Sequence, residues 1–294
     1  VDESMKKLLF IFNEKSGRAQ LKERLYSIVN FYQENNFIVT LLPIKQINCF
    51  SELLETSTVD VLVCAGGDGT LNSVLSQYMK LGCKMPVGYL PMGSTNDYAR
   101  TLGYTDDFEK ALQRSCLGVA RTVDIGRFND QYFVYVAAFG SLTEVSYSTL
   151  QPMKNILGHF AYILSGIQKI TDIRFYHLKL HNQDQQIEGQ FCMGFIMNSL
   201  SIGGFKNPLS DLVKLDDGKF EVFLIKMPCG LLELQQIVVD LLGQNIHNSM
   251  FVYFQADYLE IQSEPIRWTL DGEFGGELGT VKIANCKKAV RILG

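Results

Sequence analysis

The 294-residue sequence lacks several features that would settle its function class at once. It has no basic excess: 27 Lys and Arg against 31 Asp and Glu leave a net charge of −4. A general nucleic-acid binder carries a basic stripe instead, so no nucleic-acid partner is expected. Its four histidines do not cluster. His177 and His181 stand four apart, but in "FYHLKLH", which alternates as a strand does, so they are not a helical metal pair. The seven cysteines (Cys49, Cys64, Cys83, Cys116, Cys192, Cys229 and Cys286) are scattered and contain no CxxC pair. That pattern argues against a disulfide frame or a zinc site and reads as reduced thiols in a cytoplasmic protein. No uncharged apolar run approaches the ~20 residues of a spanning helix. The apolar run after Lys6 and Lys7 is too short for the core of a secretory signal, and no small-residue cleavage site follows it. Any membrane contact is therefore expected to be peripheral. There is also no Pro/Gly/Ser-rich linker.

What is present is enough for a substantial core: 47% of residues are apolar and 20% charged. From Met5 to about residue 126, short apolar strands alternate with helical stretches. "LLFIF" precedes a helix with apolar positions Leu21, Leu25, Ile28, Val29 and Tyr32. "FIVTLLPI", "VDVLVCAGG" and "PVGYLPMG" read as further strands, with a short helix near 49–55 and one starting at Thr70 or Leu71. Such alternation implies a parallel sheet covered on both faces. After about residue 126 the texture becomes strand-rich, from "YFVYVAAFG" to "KAVRIL", with "HNQDQQ" as a hairpin turn. Two helical stretches interrupt it, at about 155–171 and 229–246. The reading is therefore an α/β domain over 5–126, doubly wound, and a mainly antiparallel β-sandwich domain over 127–294, with a cleft between them.

Three turns at the carboxyl edge of the expected parallel sheet share one character: "FNEKSGRA", "GGDGTLN" and "PMGSTNDYAR". Doubly wound folds bind ligands at that edge. Gly66, Gly67 and Gly69 let the backbone approach a phosphate, and Ser16, Thr70, Ser94 and Thr95 offer hydroxyl donors. Asp68 in the middle of such a turn is a puzzle, because it is itself an anion. Asp97 occupies the corresponding place in another turn, and Asp124 ends the next strand-like run. Like charges 4 Å apart repel by about 4 kcal/mol at an effective dielectric of ~20. The arrangement becomes favourable if Mg²⁺ sits between carboxylate and phosphate. The alternative is that Asp68 and Asp97 only cap their own helices.

These segments resemble the diacylglycerol kinase catalytic-domain family of lipid kinases, with sphingosine kinases and bacterial phosphatidylglycerol-kinase-like proteins as relatives. The likeness runs on through "VDIG", "LGHFAY", "KLDDGKFEV" and "LDGEFGG". NAD kinases and phosphofructokinases share a GGDG-type turn but are not expected to show "STNDYAR" and "LDGE" in this order. The resemblance implies a kinase that uses ATP and Mg²⁺ on a lipid hydroxyl. Nucleotide-binding positions then fall at Asn13, Glu14, Lys15, Ser16 and Gly17, at Gly66, Gly67, Asp68, Gly69, Thr70, Leu71 and Asn72, and at Gly93 and Ser94. It makes Glu273 the catalytic base and Asp68, Asp97 and Asp124 an acidic metal–water network. It places a second, structural Mg²⁺ at the Lys214 and Lys219 carbonyls and the Asp217 side chain. Where the family often has proline after the first asparagine, this chain has Glu14. A homodimer is implied only by the likeness. The acceptor is expected to be diacylglycerol, the alternatives being another lipid, NAD, or a non-catalytic sensor. "KLDDGKFEV" on its own reads as a type I′ turn. The apolar stripe Ile156, Leu157, Phe160, Ile163, Leu164 and Ile167 either faces lipid or is core.

Overall fold

The computed structural model describes residues 5–16, 20–93, 96–105, 107–140, 174–202, 205–206, 213–243 and 245–294. The chain divides into two units, residues 1–123 with 288–294, and residues 124–287.

In the first unit, β1 (Lys6–Phe12) lies between β2 (Phe37–Pro43) and β3 (Val61–Gly66), parallel to both. β4 (Val87–Pro91) extends the sheet beyond β3, again parallel. Helices α1 (Gln20–Glu34), α2 (Phe50–Thr56), α3 (Asp68–Lys80), α4 (Asp97–Thr101) and α5 (Phe108–Leu117) connect the strands. Five consecutive residues of β1, Leu8 to Phe12, are buried, as both-face coverage requires. Leu8, Phe10 and Phe12 share a cluster with Leu21, Ile28 and Tyr32 of α1 and Leu112 of α5. Burying each such side chain contributes about 1.5–3 kcal/mol. The Tyr32 hydroxyl, in the middle of this cluster, is satisfied by the Ser115 hydroxyl at 2.8 Å. At Gly88 the helix backbone comes so close that a Cβ would stand 1.8 Å from the Ser115 carbonyl oxygen. Only glycine permits α5 to rest on β4 at that depth.

The second unit is β-rich. After β5 (Ala120–Phe128) come β6 (Gln131–Phe133), β7 (Val136–Gly140), β8 (Tyr176–His181) and β9 (Gln186–Met197). A two-residue pair, β10 (Ser201–Ile202) and β11 (Phe205–Lys206), precedes β12 (Phe220–Lys226). Helix α6 (Leu231–Leu242) leads to β13 (Phe251–Ala256), β14 (Tyr258–Leu270) and β15 (Glu273–Leu293). Pairing is antiparallel in the order β13-β12-β9-β7-β14-β15, and β8 pairs with both β9 and β14. The long strands β9 and β14 thus each share one half with β7 and the other with β8, closing a ring of four paired strands. Trp268 sits in the core, its ring 5.1 Å from Phe128 and 5.0 Å from Phe139.

The helix expected over 229–246 is α6, whose start is fixed by Glu233 accepting from the Cys229 N–H at 2.6 Å. The stretch at 155–171, with its apolar stripe, lies outside the described residues. The helix expected to start at Thr70 or Leu71 begins at Asp68, with Gly67 as N-cap. The end of the chain answers a point that the residues leave open: whether "KKAVRIL", at the end of the expected 127–294 domain, stays there or returns to the first domain. Residues 288–294 belong to the first unit. Lys288 takes a left-handed φ of 51°, which bends β15, and Ile292 and Leu293 then pair parallel with Val87 and Gly88 of β4. Alternation in "KKAVRIL" marks a strand but cannot say which sheet it completes. All seven cysteines are free.

Candidate active site

In the first unit, the order β2-β1-β3-β4 makes the connections after β1 and β3 leave in opposite directions, which opens a crevice at their carboxyl ends. Asn13 closes its floor. The Asn13 N–H donates to the Ala65 carbonyl at 3.0 Å, and its side-chain amide donates to Thr70 Oγ1 at 3.0 Å. Its own Oδ1 accepts from the Lys15 N–H at 3.0 Å and its carbonyl from Ser16 at 3.0 Å, shaping the loop 13–16. Glu14 projects outward and pairs with Lys45 at 3.1 Å. Gly17 and Ser94 lie outside the described residues.

The glycines serve packing first. A Cβ on Gly93 would stand 2.6 Å from the Gly67 Cα, and one on Gly66 2.5 Å from the Thr70 side chain. Two strand-end loops therefore touch backbone to backbone, tied by Met92 N–H to the Gly66 carbonyl at 2.8 Å. The first-turn N–H groups of α3, on Asp68, Gly69 and Thr70, have no acceptor within the helix and give its start a positive end. Leu71 adds no group, because its side chain is buried and its N–H donates to Gly67 at 3.0 Å. Asn72 turns along the helix to accept from the Ser76 hydroxyl at 2.9 Å.

Asp68 resolves the puzzle of an acid in this turn in an unexpected way. It does not cap its own helix; Gly67 does, without a side-chain bond. Its carboxylate caps α4 instead, accepting from the Asp97 N–H at 3.0 Å and the Tyr98 N–H at 3.2 Å. One side chain thus locks two loops together. Burial pushes the Asp68 carboxyl above its usual pKa, the two N–H groups oppose that, and neighbouring Asp97 adds to it. Asp97 itself is buried. Asn96, one of the residues of "PMGSTNDYAR", ties the start of α4 back to Gly93. It adopts φ 51° and ψ 48°, accepts from the Gly93 N–H at 2.8 Å and donates to the Gly93 carbonyl at 3.0 Å. Asparagine is one of the few residues at ease there, which is the signal that could have marked it. A cavity of about 240 Å³ opens here, and Gly93, Asn96, Arg100, Arg24 and Phe108 are in its wall. The Arg24 guanidinium lies 4.2 Å from the Phe108 ring centre.

In the second unit, strand register gathers the remaining candidates at one end. Leu270 pairs with Ala137 and Val136 with Met197, which in turn faces Glu221. Glu273, Asn198 and the loop 214–219 therefore follow or precede one row of the sheet. Asp124 is the first residue of this unit and is fully buried in it. Its Oδ2 accepts from the Gly218 N–H at 2.6 Å, its N–H donates to the Leu215 carbonyl at 2.6 Å, and its carbonyl accepts from the Asn198 amide at 3.0 Å. Asp124 thus braces the loop 214–219 from within its own unit. Among the described residues, no group of three His, Cys, Asp or Glu side chains converges to hold a metal.

Within the loop, Asp217 Oδ1 accepts from the Lys219 N–H at 2.9 Å. The expected type I′ turn is not formed, since Gly218 alone takes φ above zero, at 86°. The oxygens of Lys214, Asp217 and Lys219 are of the hard kind that Mg²⁺ prefers. Two buried acceptors nearby in register, Asn198 Oδ1 and Glu221 Oε2, have no donor among the described residues. Burial, with Asp217 adding to it, pushes the Glu221 carboxyl up to about 7. Excess acceptor character at this end of the sheet is what a hard cation relieves, so the residues fit such an ion.

Glu273 opens β15 and is exposed. Ahead of it, Asp271 and Gly272 take φ of 50° and 86°, as a type I′ hairpin turn needs. A bulge follows, where Trp268 faces Gly276 but Thr269 faces Phe274. Turn and bulge together direct this carboxylate outward.

The family model described as "Diacylglycerol kinase catalytic domain" matches residues 7–128. A diacylglycerol kinase of Bacillus subtilis (strain 168) is 30% identical over 280 residues, covering 93% of this chain and 92% of its own length. One from Staphylococcus aureus (strain bovine RF122 / ET3-1) is 31% identical over 278 residues, with 93% and 88% covered. A solved chain from Bacillus anthracis str. Sterne, described as a diacylglycerol kinase, superposes with a TM-score of 0.73 over 98% of this chain and 96% of its own, at 21% identity. Another from the same organism reaches 0.81 over the same shares at 20% identity. At those identities the likeness shows the fold.

Proposed function

Since the chain belongs to the diacylglycerol kinase catalytic-domain family, we propose that it moves the γ-phosphoryl group of ATP to a lipid hydroxyl, with diacylglycerol as acceptor and phosphatidic acid as product. The observation that carries this reading is the double loop in which Gly67 and Gly93 touch and one half-buried carboxylate, Asp68, fixes both. Such a preformed pair of backbones at a sheet's carboxyl edge suits a polyphosphate.

In this reading the N–H groups at the start of α3 bind the phosphates. Asp68 and Asp97 would hold a phosphate-bound Mg²⁺, which when bound would neutralise charge and orient the transferring group. Two carboxylates suffice, so Asp124 is left to hold the loop 214–219. The Lys214 and Lys219 carbonyls and the Asp217 side chain would hold a second Mg²⁺ there in a structural role. Glu273 accepts the proton of the attacking hydroxyl. An ordinary exposed carboxylate is ionised at pH 7 and serves without tuning. Phosphoryl transfer draws mainly on such positioning and charge neutralisation. The acceptor resides in a bilayer, so the protein meets a membrane surface. Among the described residues, no helix is long and apolar enough to cross one.

The test is transfer of labelled phosphate from ATP in mixed micelles carrying diacylglycerol, a sphingoid base or phosphatidylglycerol, with NAD as a further acceptor. Diacylglycerol is expected to be labelled first. Glu273→Ala should lose about 100-fold or more in kcat with the affinity for ATP kept. Labelling of NAD alone, or of no acceptor, would overturn the reading.

A further inference from the structure

Asp271 is tied down far more heavily than a turn residue needs to be. The side chain is buried. Its Oδ2 accepts from the Val134 N–H at 2.6 Å, and its Oδ1 accepts from the Tyr135 N–H at 2.9 Å and the Val136 N–H at 3.0 Å. Its own N–H donates to the Val136 carbonyl at 2.8 Å, and its carbonyl accepts from the Tyr135 hydroxyl at 3.3 Å. A type I′ turn asks only for a residue that tolerates positive φ before glycine, and Asn–Gly meets that at least as well. The carboxylate therefore has another task than making the turn. Charge-assisted bonds to N–H groups are the strong and directional kind. These anchor the hairpin tip to residues 134–136, the lead-in to β7, two residues before Glu273.

We propose that Asp271 is a positioning residue: by gripping the backbone of residues 134–136, it fixes where the Glu273 carboxylate stands and so sets the rate of proton removal. The proposal rests on Glu273 being the base. The Gly275 bulge limits the tip from the other side, since a Cβ there would meet Leu270 at 2.8 Å, and the Gly275 carbonyl accepts from the Gln131 amide at 3.0 Å. Between these two anchors the backbone that carries Glu273 is held at its root, the support that proton transfer in a near-attack geometry draws on.

Asp271→Asn isolates the effect. Asparagine suits the turn and keeps Oδ1, but its NH₂ faces the Val134 N–H, donor against donor. The expected result is a fall in kcat of about 10–100-fold with KM for ATP within about twofold. In a Glu273→Gln background, followed at high enzyme concentration, adding Asp271→Asn should cost less than about twofold. The same loss in both backgrounds would make Asp271 a purely structural brace and overturn the proposal, as would full activity of Asp271→Asn alone. Full activity of Glu273→Gln would instead remove the base assignment. Should Asp271→Asn fail to fold, Tyr135→Phe removes the bond to the Asp271 carbonyl and leaves the three bonds to the Asp271 carboxylate in place. It is expected to lower kcat about 2–5-fold in the native background and not in Glu273→Gln. Equal losses in both would again overturn the proposal.

Discussion

The two units solve the same problem, placing a carboxylate without letting it wander, by opposite means. In the first unit Asp68 sits at the start of one helix and grips the start of another 29 residues on. The parts are strand-end turns, each short and contiguous. In the second unit Asp271 and Asp124 grip segments 137 and 94 residues away, brought alongside by antiparallel register. Local turns make a site that is compact in sequence. Register makes one that is scattered through it.

The contrast can be broken or sharpened by substitution, starting where the largest effect is expected. Gly88→Ala drives a Cβ into the Ser115 carbonyl at 1.8 Å, and a backbone cannot step aside. Gly194→Ala in the second unit meets the Phe139 ring at 2.2 Å, which can turn. We expect a loss above about 4 kcal/mol for the first and about 1–3 kcal/mol for the second. Trp268, the single tryptophan, is buried in the second unit, so its fluorescence follows that unit while circular dichroism follows both. Gly88→Ala should therefore shift the dichroism transition before the fluorescence one, and a shared shift would show that the units unfold together.

Next come the carboxylates. Asp271→Ala strands three N–H groups of buried bonds and Asp68→Ala two of half-buried bonds. At about 1–3 kcal/mol for an orphaned buried group, Asp271→Ala should cost about 3 kcal/mol or more and Asp68→Ala about 1–3 kcal/mol. Reversed order in urea midpoints would mean that helix-start N–H groups are harder to leave bare than extended ones.

Asp240 gives a smaller effect with a pH signature. It accepts from the Gln236, Asn245 and Asn248 amides at 3.0, 2.9 and 2.5 Å, pinning the end of α6. The Gln236 bond first, and then those of Asn248 and Asn245, hold its carboxyl below the usual value of 3.8. A depressed folded-state pKa means that the stabilisation is present above the unfolded value and is lost as pH falls through the folded one. Asp240→Asn should cost about 1–2 kcal/mol at pH 6, and the gap to the unaltered protein should close below pH 4. The smallest effect is expected at the exposed Glu14–Lys45 pair, where Lys45→Ala should change stability by no more than about 0.5 kcal/mol.

The same contrast explains what could be read from residues alone. The alternation of strands and helices, the parallel sheet and the turns after β1, β3 and β4 were legible, because each is written within about ten residues. The role of Asp68 was half legible. A carboxylate in a glycine turn is conspicuous, but that it caps a different helix depends on where α4 comes to rest. Asn96 and Asp271 belong to the residue types at ease at positive φ, but while Asn96 finds its partner close by at Gly93, the partners of Asp271 lie far off in the sequence. Asp124 could be picked only through likeness. Nothing in "VDIG" says that its carboxylate will meet Gly218, because that meeting depends on how strands far apart in sequence line up.

The last stretch of β15 carries a consequence for how the protein is made. Residues 288–294 complete the first unit, although the rest of that unit ends at Val123. On the ribosome, the amino-terminal half emerges with one edge of its sheet bare and waits for about 165 more residues. At ~5–20 residues per second that is roughly 10–30 s. During this time β4 offers unpaired backbone to any strand that passes, including those of the second unit as they appear.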